Sequence, residues 1–104
     1  MKINAILEEY YSEESFDIEK LARELCMSRT ALFNKCRMMI GQTPLEIILN
    51  YRFKKVKEIL LENPNITVTE LSIKVGFKTA KYFSTCFKNH FGVSVKEFKE
   101  KMNS

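Results

Sequence analysis

"FKTAKYFSTCFKNHFG", residues 77–92, carries five aromatic rings and three lysines in sixteen positions. Two readings of this stretch compete, and the choice between them decides the fold. Basic residues interleaved with exposed rings make a platform on which single-stranded nucleic acid stacks its bases. Rings at helical spacing instead make the buried face of an amphipathic helix. At 100° per residue, Phe83, Phe87 and Phe91 fall within about 80° of one another. Lys81, Thr85 and Lys88 gather within about 60° on the far side, with Ser84 at their edge. That spacing assigns the phenylalanines to a core and the polar set to a surface.

The stretch is also half of a repeat. "DIEKLARELCM" (17–27) superimposes on "TVTELSIKVGF" (67–77) at an offset of 50, pairing Ile18 with Val68, Leu21 with Leu71, Leu25 with Val75 and Met27 with Phe77. "SRTALFNKCRMMIGQTPLEI" (28–47) superimposes on "TAKYFSTCFKNHFGVSVKEF" (79–98) at an offset of 51, pairing Leu32 with Phe83, Cys36 with Phe87, Ile40 with Phe91 and Gly41 with Gly92. The extra residue, Lys78, falls in a turn, where core spacing is least constrained.

Each copy reads as two short helices and the start of a third. Asp17 and Thr67 are N-cap residues, and Thr67 with Glu70 makes a capping box. A turn follows Leu25 or Val75; Gly76 can take a positive φ there, whereas Cys26 must fit without that freedom. The second helix of each pair starts near Ser28 or Thr79 and ends at Gly41 or Gly92, the position of a left-handed helix stop. "TPLE" and "SVKE" are two further capping boxes, the first with proline at its first helical position. A long helix, about Thr43 to Glu62, joins the copies, with Leu45, Leu49, Phe53, Val56 and Leu60 as its expected apolar stripe and "ENPN" as its terminator. "NAILEEYY" and "SVKEFKEKMNS" add a helix at either end. The expected fold is all-α, with about seven helices and two helix-turn-helix subdomains joined by a long linker helix. Its divisions are one domain over 1–104, with subdomain one near 3–42, the linker near 43–62 and subdomain two near 66–102.

Composition narrows the function. The chain of 104 residues is 45% hydrophobic, enough for a modest core. Its longest charge-free run, Met38–Leu45, is far too short to span a bilayer, and no signal peptide opens the sequence. Cys26, Cys36 and Cys86 have no CxxC spacing, which with a single histidine, His90, argues for reduced thiols in a cytoplasmic protein and against a metal site. No HExxH, phosphate loop or Ser/His/Asp arrangement is present, so no catalytic residue, metal or cofactor is expected. Residues 1–24 hold three Lys/Arg against seven Asp/Glu, and the remainder holds fourteen against six. A basic body behind an acidic leader suits a polyanionic partner, though a solvated lysine-rich surface has the same composition.

"IEKLARELCMSRTALFNKCRMMIGQTPLEIILNYRFKKVKEILL" followed by "ITVTELSIKVGFKTAKYFSTCFKNHFGVSVKEF" resembles the AraC/XylS transcription regulators over roughly residues 3–100. "VGFKTAKYFSTCFKNHFGVS" is the most specific part, supported by "MSRTAL", "GQTP" and the span from Arg52 to Leu61. The family often has Arg where Asn34 stands, Phe at Cys36 and Pro at Val95. The resemblance implies a sequence-specific regulator that binds double-stranded promoter DNA and contacts RNA polymerase. It also implies that Arg52 ties the linker to a subdomain. This domain is expected to bind as a monomer; dimerisation of a longer protein with an upstream sensing or receiver domain stays open.

Within that frame the first reading face is Arg29, Thr30, Phe33, Asn34 and Arg37, and the second is Lys81, Ser84, Thr85 and Lys88. Asn34 can pair with adenine, and Arg29 or Lys81 with guanine. Phe33 either meets thymine methyls or packs at the rim against the linker. Arg37 and Lys88, later in their helices, suit phosphates. The helix starts at Ser28 and Thr79 can add backbone amides, and Ala80 stands where the family commonly places a base contact. The competing reading is a helical protein-interaction or non-specific nucleic-acid-binding module.

Overall fold

The computed structural model describes residues 2–102. Among these there are seven α-helices: α1 (Ile3–Tyr10), α2 (Ile18–Glu24), α3 (Arg29–Met39), α4 (Pro44–Glu62), α5 (Val68–Lys74), α6 (Ala80–Phe91) and α7 (Val95–Met102). No strand occurs among the described residues. The end of the sequence-expected last helix, Asn103 and Ser104, lies outside them.

Local chemistry places the starts. Asp17, Ser28, Thr43, Thr67 and Thr79 each sit in extended backbone and accept a hydrogen bond from the amide three residues on. The Ser94 hydroxyl likewise accepts from the Glu97 amide, and it donates to the Glu97 carboxylate at 3.2 Å. Six orphan amides of helix first turns are thereby satisfied from the side chains the sequence marks.

The repeat is equally visible in the turns. The Met27 amide donates to the Ala22 carbonyl at 2.9 Å and the Cys26 amide to Arg23 at 3.0 Å. In the second copy Phe77 donates to Ser72 at 3.0 Å and Gly76 to Ile73 at 3.1 Å. Both are Schellman turns, each with a left-handed residue: Cys26 at φ +56° and Gly76 at φ +84°. Cys26 therefore adopts the strained conformation despite its side chain.

Two cores form. The first gathers Ile3, Ile6, Leu7, Phe16, Leu21, Ala22, Leu32 and Cys36 with Ile47 and Ile48 of α4. The second gathers Ile66, Leu71, Val75, Phe77, Phe83, Phe87 and Val95 with Phe53, Val56 and Leu60 of α4. One helix thus serves both, and at 100° per residue its two buried sets point roughly 160° apart. This corrects the single stripe expected for the linker. Ile47 and Ile48 are buried, whereas Leu45 is 47% exposed because it lies on the second-core side about two turns before Phe53, where that core begins. Ile40, paired with Phe91 in the repeat, is also surface-exposed, since α3 has ended at Met39 before reaching it.

Arg52 sits where the two buried faces of α4 meet. It is buried, and its guanidinium donates to the carbonyls of Tyr11 (3.0 Å), Glu13 (3.1 Å) and Phe16 (3.2 Å) in the α1–α2 loop. It also lies 5.7 Å from the Phe77 ring centre. Burial lowers its pKa, yet an arginine remains charged throughout the ordinary range. The molecule is elongated, 44 × 23 × 22 Å.

Candidate nucleic-acid interface

The interface follows from which side of α3 and α6 the cores leave bare. In α6, Phe83 and Phe87 are fully buried, with Phe53 behind them at ring-centre distances of 6.2 and 6.1 Å. Phe77 meets Phe83 at 5.1 Å, and the half-buried Phe91 meets Phe87 at 4.4 Å. Rings committed to one another in this way are not available for stacking on bases, which removes the single-strand platform. The opposite side of α6 exposes Lys81, Ser84, Thr85 and Lys88.

In α3 the same logic buries Leu32 and Cys36 and exposes Arg29, Thr30, Asn34 and Arg37. Phe33 is half-buried, and the Arg29 guanidinium lies 5.9 Å from its ring centre. The ring thus backs the arginine. Burial raises the pKa of the Cys36 thiol, keeping it a neutral core group.

The helix starts carry their own polarity. Ser28 and Thr79 each engage the amide at the third helical position. The amides of Arg29 and Thr30, and of Ala80 and Lys81, have no partner among the described residues. Ser28 and Thr79 are exposed and Ala80 is half-buried, so its methyl reaches the surface only in part. The Thr85 hydroxyl donates to the Lys81 carbonyl at 3.1 Å, leaving its oxygen lone pairs and methyl outward.

Tyr82 was not among the sequence candidates. It is 50% exposed in the first turn of α6, packed 5.7 Å from Phe77. A hydrogen bond with Cys86 and partial burial raise its pKa, so it keeps its proton. Its angle on the helix, about 100° from Lys81 and 100° from Phe83, is the signal that separates it from both sets. Elsewhere, Glu8 of α1 pairs with Lys55 of α4 at 2.8 Å and accepts a hydrogen bond from Tyr51, whose pKa is pushed up to about 12 by burial and by that bond. His90 stacks on Phe53 at 4.7 Å, and burial with nearby Lys57 lowers its pKa. No group of three or more metal-binding side chains occurs among the described residues, and none of their helices is long and apolar enough to cross a membrane.

Comparison with known proteins gives this geometry a context. A family model described as a helix-turn-helix domain matches residues 21–101. Histidine kinase P4 of Formosa agariphila is 38% identical over 96 residues, which are 92% of this chain and 7% of that protein. The Msm operon regulatory protein of Streptococcus mutans is 32% identical over 103 residues, 99% of this chain and 36% of that protein. The chain thus spans only a minor part of the curated relatives it matches. Among solved structures, the DNA-binding domain of AdpA, in complex with a target DNA, superimposes with a TM-score of 0.84 at 26% identity, covering 96% of this chain and 88% of that one.

Proposed function

The chain belongs to the AraC/XylS helix-turn-helix family, and from that premise we propose that it is a sequence-specific, double-stranded DNA-binding transcription regulator whose recognition helices are α3 and α6. The observation that carries this reading is the duplication itself. Two helix pairs with matching caps and turns flank one helix, and each pair leaves a polar, partly basic face on its second member. The 19 residues of α4 span about 28 Å, close to the roughly 34 Å between successive major-groove turns on one face of DNA. One chain can then engage both turns as a monomer.

In this reading Arg29, steadied by Phe33, reads guanine, and Asn34 reads adenine. Lys81 reads guanine in the second half-site, with Ser84 and the Thr85 methyl beside it. Arg37 and Lys88 neutralise phosphates, and the unpartnered amides behind Ser28 and Thr79 approach phosphate oxygens along the positive ends of their helices. Thr30 and Ala80 line the entrance to each groove. RNA polymerase as a further partner, and the cytoplasm as the site of action, complete the proposal; both fit a regulator of promoter DNA.

The test is a binding titration on duplex fragments from the protein's own genomic neighbourhood against unrelated duplex and single strands, at several salt concentrations. Preference for particular duplexes that persists as salt rises supports the reading. Equal affinity for all duplexes, or preference for single strands, refutes it.

A further inference from the structure

Gly76 and Cys26 hold the same place in two copies of one Schellman turn, and both are left-handed. The turn alone therefore does not require glycine, because the first copy accommodates a cysteine whose side chain is exposed. What differs is the surroundings. A Cβ on Gly76 would stand 2.4 Å from the Tyr11 carbonyl oxygen, 3.2 Å from that of Glu13 and 3.2 Å from the Arg52 guanidinium. Those atoms belong to the α1–α2 loop and to α4, not to the second helix pair. The same two carbonyls are the ones Arg52 holds by hydrogen bonds.

We propose that Gly76 and Arg52 are positioning residues, which with the α1–α2 loop latch the turn of the second helix pair onto the first and so set the half-site spacing the protein accepts. A long helix gripped by one core at each end is a single strut, free to bend and twist. The latch adds a second connection away from its axis, where Gly76 meets the loop backbone and Phe77 lies against the Arg52 guanidinium. Arginine suits this place because its planar fork serves several carbonyls at once, which a lysine ammonium cannot match in geometry. The inference rests on the two-headed reading of α3 and α6. It goes beyond it by naming residues outside both reading faces that determine which bipartite sites are bound.

Each inserted base pair moves one half-site about 3.4 Å along the duplex and about 34° around it relative to the other. A latched pair of helices cannot follow such a shift, whereas an unlatched pair can. The experiment selects a bipartite duplex for the unaltered protein from a randomised pool. It then measures affinity for that duplex, for versions with one or two base pairs inserted or removed between half-sites, and for each half-site alone. We expect the unaltered protein to lose about tenfold or more on each spacing change, a discrimination of the size that a mismatched base pair produces. Gly76→Ala and Arg52→Met are each expected to bind the original duplex more weakly but to vary by less than about threefold across the spacing series. Their affinity for isolated half-sites should be unchanged. Arg52→Met keeps an apolar stem against Phe77 and removes the three hydrogen bonds without placing an atom against the Tyr11 carbonyl, so it carries the test if Gly76→Ala fails to fold. Helical, cooperatively melting variants with the spacing profile of the unaltered protein would overturn the latch. An unaltered protein that protects only one half-site would overturn the two-headed reading, and the latch with it, before any variant is made.

Discussion

Replacing Phe83 by alanine separates a buried ring from one that touches nucleic acid. Phe83 has no exposed surface and lies between Phe53, Phe77 and Phe87 at ring-centre distances of 6.2, 5.1 and 5.9 Å. Truncating a phenylalanine so enclosed costs about 3–5 kcal/mol, the transfer energy of the lost atoms plus the cavity they leave. A domain of this size has about 5–15 kcal/mol in total. At about 4–8 °C per kcal/mol, the melting midpoint should fall by roughly 12–40 °C. Calorimetry or circular dichroism with temperature reads this directly. A companion titration well below the new midpoint reads DNA affinity. The expected result is a large loss of stability, with the isolated first half-site still bound normally. An unchanged midpoint together with lost nucleic-acid affinity would refute the reasoning, because it would mean the ring works at the surface.

Lys81→Ala should weaken binding and relax base preference in the second half-site, while Lys88→Ala should weaken all duplexes alike and flatten the salt slope by about one; titrations on single-base variants over a salt series distinguish them. Exchanging the turn residues should act in opposite directions. Cys26→Gly relieves a left-handed non-glycine residue and should leave the melting midpoint unchanged or raise it slightly, whereas Gly76→Cys should lower it clearly through the clash with Tyr11. Glu8 has its pKa lowered from 4.5 by hydrogen bonds from Lys55 and Tyr51. Its contribution is therefore present above that value and lost as pH falls through the lower folded pKa, so Glu8→Gln should flatten the pH dependence of the midpoint on the acid side of about pH 4.5. Cys36→Phe, which writes the second copy's residue into the first core, should destabilise by about 1–3 kcal/mol, since Cys36 is fully enclosed and a ring in its place would overpack the core. Urea unfolding measures that loss.

The sequence is most informative where a feature is local. Each cap depends on one side chain and an amide three residues away, so Asp17, Ser28, Thr43, Thr67, Thr79 and Ser94 can be read without knowing the fold. The phenylalanine face of α6 is readable for a related reason: one helix packs on one core, and its period repeats undisturbed. The linker is different. Its buried side changes part-way along, from Ile47 and Ile48 to Phe53, Val56 and Leu60, so a search for one continuous stripe admits Leu45 and omits the two isoleucines. Tyr82 is missed because it belongs to neither the core stripe nor the polar face. The approach of Gly76 to Tyr11 joins residues far apart in sequence and leaves no periodic trace.

Comparing the two copies also separates frame from face. Residues that build the frame recur in kind: a cap at Ser28 and Thr79, a buried Leu32 and Phe83, a glycine at 41 and 92. On the exposed faces the phosphate-side basic residue recurs, as Arg37 and Lys88, but the positions assigned to base edges do not. Asn34 corresponds to Thr85, Arg37 to Lys88 and Thr30 to Lys81. Two heads of one architecture whose exposed faces differ are expected to have different base preferences, and α4 holds them in a fixed order. Such a chain has no internal two-fold axis to impose on DNA. Its operator should therefore be asymmetric, and the chain should bind in a single orientation along the duplex. The order of half-sites then carries information that a palindromic site cannot hold, so any partner surface outside the two faces is presented on a defined side of the operator.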